Sequence, residues 1–140
     1  MADDDVDLDL LRESARDFLA ERGEKDSVKD LAAMDWTGLL VEERLGGAGW
    51  RPVEACVIAE ELGRARDSSA WLGTAVAAAA VASAPDAIRD RWLAALLDGT
   101  ATAGDRGDVG RGDVGAVGES GGTGGGGGAR VISCRRWFGR

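Results

Sequence analysis

The stretch that decides the fold is residues 35–64, which read DWTGLLVEERLGGAGWRPVEACVIAEELGR. It begins with an apolar segment that includes residues 39–41, continues into a glycine-rich turn at residues 46–49, and ends in a helical pattern over residues 52–64. Pro52 suits the first turn of that helix, because the missing N–H would have no partner there anyway. Apolar residues occupy most faces of the pattern, which predicts a helix covered by neighbours on nearly every side.

Helical periodicity continues on both sides of this stretch. Before it, Leu8, Leu11, Ala15 and Phe18 follow one another at intervals of three, four and three residues, which predicts a helix over residues 8–22. Three more helices are predicted: a short one capped by Ser27 and reaching Met34, one from residue 68 or 69 to just before Pro85, and one from residue 85 or 86 to residue 98. No run alternates as a strand would. The fold class predicted is therefore all-α, a small bundle of about five helices.

The periodic pattern ends near residue 104. Of the 22 glycines, fifteen lie at or after Gly99, and a Gly-Asp-Val-Gly motif at residues 107–110 recurs at residues 112–115. Such a segment buries too little apolar surface to offset the entropy of ordering its backbone. We expect two parts: a helical domain over residues 1–103, and a disordered, low-complexity Gly/Arg/Asp tail over residues 104–140.

The charge and composition of the chain argue against several classes of partner and site. The net charge is −8, and the acidic residues are concentrated in the first 98 residues, which argues against nucleic-acid binding. No histidine is present, so a histidine base or ligand is excluded. The two cysteines suggest neither a disulfide framework nor a metal site, and Cys56 is expected to be a buried thiol within its helix.

Neither a secretion signal nor a membrane span is predicted. The N-terminus is acidic rather than basic and then apolar. The uncharged run at residues 70–84 is shorter than the roughly 20 residues that a membrane helix needs. We therefore expect a cytoplasmic protein without a membrane partner.

The glycine turn and two acidic pairs are candidate functional sites for which a structural role is favoured. A dinucleotide-binding loop needs G-x-G-x-x-G between a strand and a helix, and residues 46–49 have neither that spacing nor a lysine. A structural turn is favoured instead. The pairs Glu42-Glu43 and Glu60-Glu61 could serve acid–base chemistry only with a shifted pKa beside a substrate, so both are expected to be solvated.

Residues 8–103 resemble the first, all-helical domain of acyl-CoA dehydrogenases. The likeness rests on the apolar run 39–41 leading into the acidic residues, on the glycines of residues 46–49, and on the helix over residues 53–64. Glu42 stands where that family usually has proline, and Arg44 stands where a second acid is common. The resemblance implies a helical-bundle fold.

The same resemblance implies a function. Acyl-CoA dehydrogenases are FAD-dependent oxidoreductases of fatty acid metabolism that oxidise the CH–CH bond next to an acyl-CoA thioester. In them, a middle β-domain and a last helical domain hold the flavin, and the last domain also supplies the carboxylate base. The helix matching residues 70–84 faces the fatty-acyl end of the substrate, which implies a substrate-binding role for Leu72 and Val76. No catalytic, cofactor-binding or metal-binding residue is implied.

These implications lead to three hypotheses. The first is a truncated copy of the family, inactive and free of FAD on its own, which binds acyl-CoA only when other domains complete it. A frame-shifted tail or a genuine short module would each fit the glycine-rich end. The alternative function is a non-catalytic helical interaction module that docks on an intact dehydrogenase subunit. A partly folded, nonfunctional product is the third reading.

Overall fold

In the computed structural model, the described residues are 7–23, 27–103 and the backbone of 130–132. Within them lie five α-helices: α1 Leu8–Arg22, α2 Val28–Ala32, α3 Pro52–Arg64, α4 Trp71–Ala82 and α5 Asp86–Leu97. Helix α1 packs along α3, and α4 packs along α5. The predicted all-α class and the predicted number of helices are confirmed.

Local capping explains why the bounds of α1 and α3 agree with the sequence pattern. The Asp7 side chain accepts hydrogen bonds from the backbone N–H groups of Asp9 and Leu10, each at 3.1 Å, and so satisfies donors that the first turn leaves free. Pro52 is the first residue of α3. Helix α4 begins at Trp71, two or three residues later than predicted.

Four very short strands accompany the helices. Strands β1 (Leu40–Val41) and β2 (Gly49–Trp50) pair antiparallel around the glycine turn. Strands β3 (Ala101–Ala103) and β4 (Arg130–Ile132) pair in parallel. The sequence shows no strand pattern here, because segments of two or three residues are too short to show alternation. Apart from residues 130–132, the tail that we predicted to be disordered lies outside the described residues.

The glycine turn packs tightly against β1. A Cβ atom built on Gly47 would lie 2.0 Å from the carbonyl oxygen of Val41, far inside any van der Waals contact. Gly38 is also tightly packed, though less so, since its Cβ would lie 3.2 Å from the Gly47 Cα. These glycines are therefore present because the backbone segments touch, and the turn is structural.

The interior has two apolar clusters. One joins α1, α2, α3 and the start of α4, and the other joins α4 and α5 with β1 and β3. Ala15, Leu31, Ile58 and Leu96 are fully buried within these clusters. Helix α4 contributes to both clusters and therefore links the two halves of the domain.

The predicted burial of Cys56 is wrong. The Cys56 side chain is exposed on α3 and unpaired, as is that of Val53, three residues before it, with 56% of its surface exposed. Ala55, Val57 and Ile58 point inward instead. Because α3 is apolar on most of its circumference, periodicity alone does not indicate which side faces water.

Candidate functional site

The two residues predicted to bind substrate lie side by side on one surface of α4. Leu72 is 61% exposed and Val76 is 52% exposed, and their four-residue spacing places them on the same side of the helix. Ala80 continues this row, and Gly73 and Ala79 border it half-buried. We call these five residues the α4 face. Helix α4 contains no charged residue.

The opposite side of α4 is anchored in the core. Trp71, Thr74, Ala75 and Ala78 are buried there. The Thr74 hydroxyl accepts a hydrogen bond from the backbone N–H of Ala103 at 3.1 Å and donates to the Ala70 carbonyl at 2.7 Å. This arrangement fixes α4 to β3, so the α4 face is presented on a rigid element.

Trp71, which directly precedes Leu72 of the α4 face in the sequence, has a buried indole ring. The Trp71 side chain is 3% exposed, and its Nε1 atom has no hydrogen-bond partner among the described residues. A buried donor without an acceptor costs about 1–3 kcal/mol. Trp71 therefore contributes its ring to the core at the expense of one unsatisfied N–H group.

One carboxylate with a shifted pKa lies on α3 and not on the α4 face. Glu61 on α3 is 1% exposed, and its two carboxylate oxygens accept hydrogen bonds from Nε and Nη2 of Arg16 at 2.9 and 3.0 Å. Arg64 lies 3.5 Å from the same carboxylate. The hydrogen bond from Arg16 lowers the pKa of Glu61 below its ordinary value, although burial acts in the opposite direction.

Of the two acidic pairs predicted to be solvated, one agrees with the prediction. Glu42 and Glu43 are exposed, and Glu42 pairs with Arg44. Glu60 is also exposed. The prediction for Glu61 is wrong, because a partner from 45 residues earlier in the chain allows this carboxylate to be buried. Its ionised form is stabilised, so Glu61 is poorly suited to accept a proton at neutral pH.

Neither the glycine turn nor the α4 face fits the phosphates of a flavin. Binding of its phosphates would require open backbone N–H groups or cations around a loop, and the glycine turn is closed by the contact of Gly47 with Val41. The α4 face has no charged side chain and offers only apolar contact. A flavin-dependent step therefore cannot be derived from this part of the chain.

Two further classes of site are absent from the described part of the chain. No group of three or more His, Cys, Asp or Glu residues there is placed to hold a metal ion. None of the described helices is long and apolar enough to cross a membrane.

The helical bundle displays one uncharged helix face, and no base or electron acceptor lies beside that face in the described residues. Such a domain is suited to form one wall of a larger site. The family model described as "Acyl-CoA dehydrogenase, N-terminal domain" matches residues 6–100, which is more than half of the 140 residues. The chain belongs to this family. Comparison with curated proteins and with solved structures gives no match.

Proposed function

We propose that this chain supplies the helical wall of the substrate site of an FAD-dependent acyl-CoA dehydrogenase. The family assignment to residues 6–100 and the exposed α4 face support the proposal. The acyl chain would lie against Leu72 and Val76. Oxidation would require the flavin-binding β-domain and the carboxylate-bearing domain, so the chain by itself would be inactive. Its proposed setting is fatty acid metabolism in the cytoplasm.

The contribution of this domain would be binding. Complete burial of a leucine or valine side chain is worth about 1.5–3 kcal/mol, and Leu72 and Val76 of the α4 face are each more than half exposed. An acyl chain that covered them would gain part of that energy and would exclude water from its own surface. Hydride transfer needs a cofactor, because amino-acid side chains do not accept hydride.

Methyl NMR of the full chain tests the binding step. Octanoyl-CoA should shift the methyl signals of Leu72 and Val76, whereas CoA without an acyl group should leave them unchanged. The variant Leu72→Asp should lose the response at Val76, because a carboxylate in the contact must be desolvated. Leu10→Asp is the matched control: Leu10 is 59% exposed but lies on α1. Equal shifts with CoA, or equal losses in both variants, would contradict the assignment.

The exposed α4 face also supports the alternative, a non-catalytic module that docks on an intact dehydrogenase. An apolar face that another protein surface covers would stabilise a complex without any bound acyl group. Size-exclusion chromatography of the chain with an intact acyl-CoA dehydrogenase tests this function. Co-elution that Leu72→Asp abolishes and Leu10→Asp preserves would favour docking, and separate elution of the two proteins would reject it.

A further inference from the structure

A groove of about 620 Å³ lies between α5 and the segments that precede α3. Three leucines form most of its apolar floor: Leu45, Leu93 and Leu97. Its charged lining consists of Asp35, Asp90, Asp98 and Arg89. We call it the acidic groove. The proposed acyl-CoA function, which uses the α4 face, does not involve it.

The three aspartates of the acidic groove are not neutralised by described cations. The side chains of Asp35 and Asp90 form no ion pair or hydrogen bond with any described residue. Asp98 accepts hydrogen bonds from the uncharged threonine two residues later, at 2.8 and 2.6 Å. Arg89, the cation of the lining, pairs with Asp86 instead. The groove therefore retains three negative charges beside an apolar floor.

A basic and aromatic segment follows β4 in the sequence. Residues 133–140 read SCRRWFGR, with three arginines, one tryptophan, one phenylalanine and no acid. We call them the basic segment, and they lie outside the described residues. Their composition is complementary to the acidic groove, because the arginines match its carboxylates and the aromatic rings match its leucines.

The pairing of β3 with β4 brings the start of the basic segment close to α5. Ile132 lies opposite Ala103 in the parallel ladder, and Ala103 belongs to the same apolar cluster as Leu93 of the groove. Trp137 follows Ile132 by five residues. Five residues span up to about 17 Å when extended, whereas a helix with its side chains is about 10–12 Å across. The basic segment is therefore long enough to pass round α5 and reach the groove.

Charge favours the acidic groove over the α4 face as the position of the basic segment. Helix α4 contains no charged residue, so it offers no partner for the three arginines. A guanidinium group that is desolvated against an apolar surface without an acceptor is unfavourable. At the groove, by contrast, each open carboxylate can accept two parallel hydrogen bonds from one guanidinium group.

The weakness of the β3–β4 pair also favours a second point of attachment. Each strand has three residues, and a two-stranded pair of that size is marginal by itself. Bringing β4 to β3 also closes a long loop over residues 104–129, at a cost in chain entropy. Contacts made by the residues after β4 would offset part of that cost.

We propose that the basic segment binds in the acidic groove of the same chain, with Trp137 and Phe138 on the leucine floor and the arginines facing the three aspartates. Burial of the aromatic rings supplies most of the attraction, because exposed ion pairs contribute little by themselves. The arginines select this groove and fix the position of the segment. The bound segment acts as a strap that holds β4 against β3.

A spin label on Cys134 tests the proposal in the full chain. Cys134 lies within the basic segment, and Cys56→Ser removes the exposed thiol of α3. The nitroxide should broaden the backbone amide NMR signals of Asp90 and Ala94 more strongly than those of the α4 face. Trp137→Ala/Phe138→Ala removes the two rings without changing a described residue, and it should abolish the broadening in the groove.

A pair of charge variants tests the role of the aspartates. Asp35→Asn/Asp90→Asn should reduce the broadening at Ala94 about twofold or more, because two of the three charges are lost. Asparagine tolerates the left-handed backbone at Asp35, where φ is 61°, so this variant should keep the melting temperature of the native chain. Asp17→Asn/Glu21→Gln removes the same charge from exposed positions of α1 and should leave the broadening unchanged.

Other occupants of the groove and other positions of the segment give distinct results. Strongest broadening on the α4 face would overturn the proposal and assign the segment to that face. Isotope-labelled chain without a nitroxide, mixed with spin-labelled chain, should show no broadening. If Ala94 broadened in this mixture, the segment would come from a second copy, and binding within one chain would be rejected. Weak, uniform broadening, or equal responses of the two charge variants, would also overturn the proposal.

Discussion

The Glu61 carboxylate is held inside the helical bundle by the Arg16 guanidinium group, which donates through Nε and Nη2 at 2.9 and 3.0 Å. The two partners are unequally buried: the Glu61 side chain is 1% exposed and that of Arg16 is 50% exposed. This pair joins α1 to α3. Removal of Arg16 should therefore have a different effect on stability from removal of Glu61.

Arg16→Gln should destabilise the chain more than Glu61→Gln does. Without Arg16, an ionised carboxylate remains buried and loses both hydrogen bonds, with Arg64 and Arg12 as the cations still near it, whereas without Glu61 the half-exposed arginine can turn to water. Glu61→Gln loses charge-assisted hydrogen bonds worth about 1.5–3 kcal/mol. Urea unfolding of both variants measures the order. A larger loss for Glu61→Gln than for Arg16→Gln would contradict this account of the pair.

The lowered pKa of Glu61 makes stability dependent on pH. Arg16 lowers this pKa in the folded chain. The ionised carboxylate therefore stabilises the fold at any pH above the pKa of Glu in the unfolded chain, which is about 4.3. That stability is lost as the pH falls through the lower, folded value. Unfolding free energies measured from about pH 7 to about pH 3 should fall less steeply in Glu61→Gln than in the native chain. Parallel curves would exclude Glu61 as a source of the dependence.

A methyl group at Gly47 should disrupt the turn that precedes α3. The added Cβ of Gly47→Ala would lie 2.0 Å from the carbonyl oxygen of Val41, and backbone atoms cannot move aside as a flexible side chain can. A loss of more than about 3 kcal/mol is expected, in the range of severe substitutions.

Gly63→Ala is the matched control for the turn. Gly63 lies within α3, and nothing lies within 4 Å of its added Cβ, so alanine should raise stability by up to about 1 kcal/mol. Thermal unfolding of both variants compares the two positions. If Gly47→Ala unfolded like the native chain, the close packing of the turn against β1 would be contradicted.

The sequence predicted the elements whose signals are local. The bounds of α1 and α3 follow from an aspartate cap and from Pro52, and these act within one helical turn. Burial of Glu61 depends on Arg16, 45 residues away, and no local pattern carries that pairing. The exposure of Cys56 was missed for a related reason: it depends on which neighbours cover α3.

For the candidate site, the sequence identified Leu72 and Val76 through family resemblance, and their placement on one exposed face of α4 came from the structure. Periodicity was not enough to find that face, because α4 is apolar on every side and no polar stripe marks the side that meets water.

The α4 face should also cause self-association. Leu72 and Val76 are large, apolar and more than half exposed on a helix without charge, and such surfaces drive association in water. We expect the native chain to form oligomers at micromolar concentration and to become monomeric in Leu72→Asp/Val76→Asp. Light scattering after size exclusion measures the mass, with Leu10→Asp as the control that should remain associated. A monomeric native chain would contradict this expectation.

Thr74 connects α4 to β3. Its buried hydroxyl accepts the hydrogen bond of the Ala103 N–H at 3.1 Å, and valine has nearly the same shape but no acceptor. Thr74→Val should therefore cost about 1–3 kcal/mol, because a buried N–H loses its partner. Thr74→Ser keeps the hydroxyl and should lose only the contacts of one methyl group, about 1 kcal/mol. Amide hydrogen exchange separates the two effects. In Thr74→Val the Ala103 amide should exchange much faster than in Thr74→Ser at matched global stability, and equal rates would show that Thr74 does not hold β3 in place.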